Sequence, residues 1–446
     1  MNHQSNHLPV EGFTPLEPGF DAGNLLGYRD GILHFDDVPV SQLAKTYGTP
    51  SYVFAQSAVE QAYQRLISAL DNALSPKTGR RVCYAVKANS NRALLTALAR
   101  QGAGADVVSI GEMKLALAAG FKPDQMVFSG VGKTPDEITE AISLGVGQLN
   151  AESEAEIDVI AACAKSLNKT GAVALRVNPD VDARTHAKIS TGKMGDKFGI
   201  SLDQIVDAYQ RVHDNPHLTG AGLAVHIGSQ ITDPAPFAQA FAKIGDLVTA
   251  IRGRDIPLDH LDLGGGLGIR YKDETPIDPN LWAKAIADIA EPLGCSVTVE
   301  PGRYIAGPAG IMLAEVLYLK DTGDRTIVIL DASMSELIRP SLYDAWHEIV
   351  PVIEPAADAE YKPVDLVGPV CESGDTFAQG RSMPPLKVGD QLAFLTAGAY
   401  TNVMASNYNA RVLPPEIVVK DGQHHAVRQR QDFAQLLAGQ TLPDWL

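Results

Sequence analysis

The sequence has little cysteine, and what it has is scattered. Four cysteines occur in 446 residues, at positions 83, 163, 295 and 371. None lies in a CxxC pair or at the Cys/His spacing of a zinc ligand set, which argues against structural zinc, and we expect no metal site. So few cysteines in so long a chain favour reduced thiols and a cytoplasmic location.

Excess positive charge and long apolar runs are also missing. The formal net charge is -16, which repels phosphate backbones and anionic lipid. No apolar run approaches the ~20 residues of a membrane span. The N-terminal MNHQSNHLPVEGF lacks the basic-then-apolar layout of a signal peptide. We therefore expect neither a nucleic-acid nor a membrane partner, although a local site for a small anion remains open.

What the chain does contain is a regular alternation of short β-rich runs with amphipathic stretches. Eight strands are predicted in this way, at 80–89, 104–109, 126–131, 147–153, 172–179, 222–229, 258–268 and 295–303. Eight strands alternating with helices predict a (β/α)8 TIM-like barrel, with a doubly wound sheet as the alternative.

The alternation stops after Arg303, where strand-like runs follow one another without regular helices. The predicted fold class is therefore α/β + β, a barrel with a C-terminal β-rich domain. The strand pair expected in 27–40 would join that domain, because a closed barrel has no edge to accept it. The predicted divisions are 1–45 for the N-terminal tail and strands, 46–308 for the barrel and 309–446 for the C-terminal β domain.

Polar residues cluster at the carboxyl ends of the predicted barrel strands, where barrels carry their chemistry. These residues are Lys87, Ser109, Asn178, His226, the run Gly264–Gly266, and Glu300 with Arg303. Each has an ordinary structural explanation when taken alone: a lysine with a solvated tip, a core histidine, a tight glycine turn.

Together these residues describe the needs of one cofactor, pyridoxal 5′-phosphate. Lys87 could hold its aldehyde as a Schiff base, with desolvation favouring the neutral amine. His226 could stack on the flat ring, and the bare backbone of the glycine run could cradle the phosphate. Glu300 could keep the ring nitrogen protonated, which the cofactor needs to act as an electron sink.

The motifs YAVKANSN, HIGSQ, GGGLG, EPGR and CESGD occur in this order. The set resembles the alanine-racemase-like class of pyridoxal enzymes (the group IV decarboxylases), and within it the diaminopimelate decarboxylase family. The resemblance runs from about residue 27 to 435 and includes the segment 188–200. The chain departs from the family pattern at Ser333, at Ser335 and in SGVGK (129–133), and the effect of these changes is left open.

The resemblance implies roles for individual residues and a homodimer with shared active sites. It implies catalytic residues Lys87, His226 and Cys371, with Cys371 donating a proton from the partner subunit. It implies cofactor contacts from Lys87, His226, Ser229, Gly264, Gly265, Gly266, Glu300, Pro301, Gly302, Arg303 and Tyr400. It implies substrate contacts from Arg303, Arg339, Tyr343, Glu372 and Tyr400.

The reaction implied by the resemblance is decarboxylation of meso-2,6-diaminopimelate to L-lysine. That substrate keeps a carboxylate and an ammonium at its non-reacting end, which suit an arginine such as Arg339 and an acid such as Glu372. An ornithine or arginine decarboxylase meets no distal carboxylate and is disfavoured. A racemase of the same fold and a non-catalytic regulatory homologue are further alternatives.

Overall fold

The computed structural model describes residues 13–15, 25–183, 191–192 and 195–446. In the segment 188–200, which is part of the family resemblance, residues 188–190, 193 and 194 lie outside the described residues. The chain divides into two units. The β-rich unit comprises 1–58, 270–273 and 307–446, and the barrel unit comprises 59–269 and 274–306.

The N-terminal segment supplies strands to the β-rich unit. Four strands form an antiparallel sheet: β1 (Phe13–Pro15), β2 (Leu26–Arg29), β3 (Ile32–Phe35) and β4 (Val38–Pro39). Asp30 and Gly31 between β2 and β3 both have positive φ, which is typical of a tight hairpin turn. The hairpin confirms the strand pair predicted in 27–40. Helix α1 (Val40–Tyr47) then leads to β5 (Ser51–Ala55).

Eight parallel strands close into a barrel, as the alternation predicts. In chain order the eight strands are β6 (Arg80–Ala85), β7 (Gly104–Val107), β8 (Met126–Phe128), β9 (Gln148–Ala151), β10 (Gly171–Asn178), β12 (Leu218–Val225), β13 (His260–Asp262) and β14 (Ser296–Val299). The short strand β11 (Ile200–Ser201) pairs with β10 beside the barrel. The ring closes because β10 pairs with both β9 and β12, and β14 pairs with β6. The doubly wound alternative is therefore wrong.

Helices alternate with the barrel strands, and several of them begin at a polar cap. They are α2 (Gln56–Ala73), α3 (Arg92–Arg100), α4 (Ile110–Ala119), α5 (Pro135–Leu144), α6 (Glu154–Ser166), α7 (Leu202–Asp214), α8 (Ala235–Arg252), α9 (Pro279–Leu293) and α10 (Arg303–Ala306). Ser109 is one such cap, because its hydroxyl accepts a hydrogen bond from the amide of Glu112 at 3.2 Å. The polar residue at the end of the second predicted strand thus has a local structural role.

A sheet of nine strands forms the rest of the β-rich unit. Its C-terminal elements are β15 (Gly310–Asp321), β16 (Thr326–Leu330), α11 (Arg339–Tyr343), β17 (Ile349–Pro351), β18 (Lys362–Val367), β19 (Thr376–Met383), β20 (Gln391–Phe394), β21 (Glu416–Lys420), β22 (Gln423–Arg428) and α12 (Phe433–Leu437). Strand β5 lies between β15 and β21, and Tyr52, Val53 and Phe54 within it are fully buried. A C-terminal β domain that takes in the N-terminal segment is therefore confirmed.

No helix in the described part of the chain combines the length and the apolar character needed to cross a membrane.

Candidate active site

A cavity of about 180 Å³ lies at the carboxyl ends of the barrel strands. Lys87, His226 and Glu300 line it, together with Asn150 and Arg176. Residues from the first, sixth and eighth predicted strands therefore meet in one space. This convergence is what the sequence pattern predicts for the active end of a barrel.

Lys87 lies directly after β6, in a short 3₁₀ turn over Val86–Ala88. Its Nζ donates to Oδ2 of Asp106 at 2.6 Å, and Asp106 is completely buried in β7. A charge-assisted bond of this kind favours the ammonium in this state of the chain, and the neutral amine stays a prediction for the exchange with substrate. The bond to Asp106 fixes the direction of Nζ.

His226 faces the cavity as a neutral imidazole. The amide of Gly265 donates to its Nδ1 at 3.2 Å, so the ring proton belongs on Nε2. Burial holds the pKa of His226 well below its usual range, and the nearby cations of Arg176 and Lys87 lower it further. A neutral, flat ring on a cavity wall is suited to pack against another flat ring.

Glu300 brings a buried carboxyl group to the same cavity. Its Oε1 has no hydrogen-bond partner among the described residues, a rare state for a buried polar atom. Burial raises the pKa of Glu300 well above its usual range, and the negative charges of Asp106 and Asp262 add to the effect. An unpartnered buried carboxyl oxygen at a cavity is what a partner for a ring nitrogen requires.

Asp262 lies beside Glu300 and is itself held by two donors. It accepts from Nε2 of Gln148 at 2.8 Å and from the amide of Gly264 at 3.1 Å. Burial raises the pKa of Asp262 from 3.8 to about 6. Asp106, Asp262 and Glu300 thus lie near enough to influence one another, yet no group of His, Cys, Asp and Glu in the described chain is arranged to hold a metal ion.

The glycine run after β13 is required by close backbone packing. Gly264 has φ +66° and Gly266 has φ +108°. A Cβ at Gly265 would lie 2.1 Å from the carbonyl oxygen of Glu300, and one at Gly264 would lie 2.3 Å from that of Val225. These contacts bring the strand ends that carry His226 and Glu300 together, so the tight-turn explanation holds, and a phosphate cradle stays a prediction.

The EPGR segment is tied to two other predicted site segments. The amide of Ala85, in β6, donates to the carbonyl of Pro301 at 3.1 Å, and Gly302 packs close to the Cβ of Ala85. Arg303 is buried and donates to Oγ of Ser229 from Nε at 3.2 Å and from Nη2 at 3.1 Å. These two hydrogen bonds therefore hold Ser229 and Arg303 together.

A second group of predicted residues lies in the β-rich unit. Arg339 begins α11 and Tyr343 ends it, and Arg339 is buried. Nη1 of Arg339 is 2.8 Å from Nε2 of His347, and its guanidinium lies 4.3 Å from the ring of Tyr271. The guanidinium expected to bind substrate thus contacts the side chains of His347 and Tyr271.

Cys371 and Glu372 lie in an exposed loop between β18 and β19. Asp375 anchors this loop, because its carboxylate accepts from the amide of Val370 at 2.7 Å and from that of Met334 at 2.6 Å. The loop therefore presents a free thiol on a fixed frame.

Tyr400 has φ +57°, an uncommon backbone conformation for a residue with a side chain. Such strain is often found at functional sites, which agrees with the predicted role of Tyr400.

Several site residues were missed by sequence reasoning. Asp106, Asn150 and Arg176 lie inside barrel strands, and Asp262 is the last residue of β13. Arg176 donates to Oε1 of Glu152 at 2.7 Å. The available signal was a polar or charged residue in a short buried strand, which a folded barrel rarely tolerates without a partner.

Comparison with known families agrees with this geometry. Residues 58–307 match the family described as "Pyridoxal-dependent decarboxylase, pyridoxal binding domain". The chain is also 44% identical over 420 residues to the diaminopimelate decarboxylase of Zymomonas mobilis, covering 94% of this chain and 99% of that protein.

Solved structures resemble the chain over nearly its whole length. Diaminopimelate decarboxylase from M. jannaschii in co-complex with L-lysine has a TM-score of 0.90 at 34% identity, covering 95% of this chain and 99% of that one. The Helicobacter pylori diaminopimelate decarboxylase complexed with L-lysine has a TM-score of 0.85 at 36% identity, covering 90% of this chain and 98% of that one.

Proposed function

The chain belongs to the pyridoxal-dependent decarboxylases, and we propose that its substrate is meso-2,6-diaminopimelate, which it converts to L-lysine and CO2. The reaction is the last step of lysine biosynthesis through diaminopimelate, and the enzyme is a carboxy-lyase. The observation that carries the proposal is the meeting of Lys87, His226 and Glu300 in one cavity. The diaminopimelate decarboxylases to which the chain is similar give the substrate.

The cofactor, pyridoxal 5′-phosphate, fits the residues that are present. The unpartnered Oε1 of Glu300 and the neutral face of His226 suit a protonated ring nitrogen and a flat ring. When bound, this group supplies an electron-withdrawing ring that accepts the electron pair left when CO2 departs. Lys87, Ser229, Gly264–Gly266, the segment Glu300–Arg303 and Tyr400 would hold it.

The acid–base groups near Lys87 lie in the barrel unit. Asp106 holds and orients the Lys87 ammonium through Oδ2. Glu300 would hold the proton at the ring nitrogen of the cofactor, where the negative charges of Asp106 and Asp262 favour a positive partner. His226 is uncharged and would keep the ring oriented.

We assign substrate selectivity to residues that contact the non-reacting end of the substrate. Arg303 and Arg339 bind the distal carboxylate as guanidinium groups, and Glu372 binds the distal ammonium. Tyr343 and Tyr400 border the substrate, and Cys371 returns a proton to the carbon that has lost CO2.

We further propose a homodimer with shared active sites, in which Cys371 and Glu372 act in the partner subunit's site. Their exposure supports this, because residues that serve a neighbouring subunit are reachable from outside their own chain. We also propose a cytoplasmic location, supported by four unpaired thiols.

The test is an assay of the purified, cofactor-loaded protein with meso-diaminopimelate, ornithine and arginine supplied separately. Release of CO2 and L-lysine from the first alone is the expected result. Release of CO2 from ornithine or arginine instead would contradict the distal-site assignment. Bound cofactor without any turnover would favour the racemase or the regulatory homologue.

A further inference from the structure

His347 is a buried histidine of the β-rich unit to which the mechanism above gives no role. Its exposed fraction is 2%. Its Nδ1 lies 2.8 Å from the carbonyl oxygen of Leu395, and its Nε2 lies 2.8 Å from Nη1 of Arg339. The ring therefore bridges a backbone carbonyl and a guanidinium.

The two neighbours of the ring dictate where its proton lies. A carbonyl oxygen only accepts, so Nδ1 carries the proton and donates it to Leu395. A guanidinium only donates, so Nε2 of His347 is the bare nitrogen that accepts from Arg339. The neutral Nδ1–H tautomer satisfies both contacts at once and leaves the ring one orientation.

Tyr271 completes this support. Its ring lies 4.3 Å from Cζ of Arg339, and its centroid is 5.5 Å from that of His347 at an interplanar angle of 80°. Neither His347 nor Tyr271 contributes a negative charge at these contacts. Both therefore orient the guanidinium of Arg339 without neutralising it.

We propose that His347 is a positioning residue that sets selectivity for a substrate with a distal carboxylate, by fixing the guanidinium of Arg339. This inference rests on the proposed function, in which Arg339 binds the carboxylate of the non-reacting end. Two parallel hydrogen bonds to a carboxylate need a guanidinium of fixed orientation. Release of that guanidinium weakens the contact with the distal carboxylate and leaves the reacting end unaffected.

Two matched pairs of variants separate this role from simple packing. In His347→Asn the amide reaches the position of Nδ1 and still donates to Leu395, but the acceptor Nε2 that faces Arg339 is lost. In His347→Gln the amide oxygen reaches the position of Nε2 and can accept from Arg339. His347→Met has the length of glutamine without that acceptor, and it serves if His347→Asn does not fold.

The readout is the ratio of kcat/KM for meso-diaminopimelate to kcat/KM for D-lysine, measured on cofactor-loaded protein. D-Lysine has the same reacting end but lacks the distal carboxylate. Dissociation of the product L-lysine, which carries that carboxylate, gives the same information without turnover. Thermal melting and the cofactor absorbance verify folding and loading.

We expect H347N and H347M to lose about ten- to a hundredfold in kcat/KM for meso-diaminopimelate and in affinity for L-lysine, the effect of one hydrogen bond to a charged group. Their kcat/KM for D-lysine should change less than about threefold, because no distal carboxylate is involved. H347Q should recover most of the loss. Equal losses on both substrates, or equal selectivity in H347M and H347Q, would overturn the proposal.

Arg339→Gln distinguishes failure of this inference from failure of the proposed function. If R339Q loses selectivity while H347N and H347M keep it, only the role of His347 is wrong. If R339Q also keeps its selectivity, Arg339 does not read the distal carboxylate, and the proposed substrate contacts are wrong. A wild-type protein that releases no CO2 from meso-diaminopimelate contradicts the proposed function itself.

Discussion

The two units of the chain differ in how they hold their functional side chains. In the barrel unit, Lys87 and Glu300 line one cavity, and the buried Asp106 pairs with Lys87. In the β-rich unit, Cys371 and Glu372 lie exposed on a loop. The comparison suggests that one unit fixes the cofactor chemistry and the other adapts it to a substrate.

The two units also differ in the free energy of desolvating these side chains. A partly exposed lysine and three buried carboxyl groups must be desolvated to different degrees, which is unfavourable unless each finds a partner. An exposed cysteine and glutamate carry no such penalty. We therefore expect changes in the barrel unit to affect stability as well as activity, and changes in the loop to affect activity alone.

Replacement of Lys87 should have the largest effect. Lys87→Ala removes the nucleophile and is expected to lower kcat by ~10³-fold or more, by analogy with other residues that carry a chemical step. Lys87→Arg is the matched variant, because it keeps a cation for Asp106 but is not a nucleophile. K87R that retains more than a few per cent of activity in a decarboxylation assay would break the assignment.

Cys371→Ser comes next in size. Loss of a proton donor is expected to lower kcat by ~10²-fold. The cofactor absorbance and the melting temperature should stay as in the wild type, since the side chain is exposed. Cys163→Ser, a change to a buried thiol on α6, is the control and should leave kcat within about twofold. A C371S protein with normal kcat would mean that the loop does not deliver the proton.

Glu372→Gln should have a smaller effect, seen in KM. The substitution removes the charge that pairs with the distal ammonium, so KM for meso-diaminopimelate should rise about tenfold with less change in kcat. Steady-state kinetics with Glu360→Gln, another exposed acid of the β-rich unit, provide the control. Equal KM values in the two variants would show that Glu372 does not contact substrate.

Asp262→Asn tests the barrel unit through stability. Because the folded state raises the pKa of Asp262 from 3.8 to about 6, the folded chain binds more protons than the unfolded chain in that window. Stability of the cofactor-free protein should therefore fall as the pH rises from about 4 to 6, by roughly 3 kcal/mol at most.

The measurement is chemical unfolding of the cofactor-free protein at several pH values. D262N should flatten this part of the stability curve, whereas Asp273→Asn, outside the barrel unit, should not. Parallel curves for wild type and D262N between pH 4 and pH 6 would mean that folding does not raise the pKa of Asp262.

Much of the barrel could be predicted from sequence because its signals are local. Eight strands alternate with helices, and parallel strands bring their carboxyl ends to one rim, so Lys87, His226 and Glu300 could be placed together before any contact was known. The contact between Lys87 and Asp106 could not, since it depends on the register that pairs Ala85 with Asp106 across β6 and β7.

The β-rich unit was harder to predict at its margins. The strand-like runs after Arg303 left out β17, β19 and β22, and the last two are the ends of the path of paired strands through the larger sheet. An edge strand is only partly covered, so TFAQGRSM and QHHAVR carry too few apolar residues to read as strands. The hydrogen bond between His347 and Leu395 joins residues 48 apart in sequence, and no local pattern predicts it or the bond between His347 and Arg339.

The most direct test of the account is to locate the cofactor. The loaded protein would be reduced with sodium borohydride, digested, and its peptides analysed by mass spectrometry for a pyridoxyl group. The account predicts that group on Lys87 alone. A pyridoxyl group on another lysine, such as the buried Lys133 beside the same barrel strands, would contradict it.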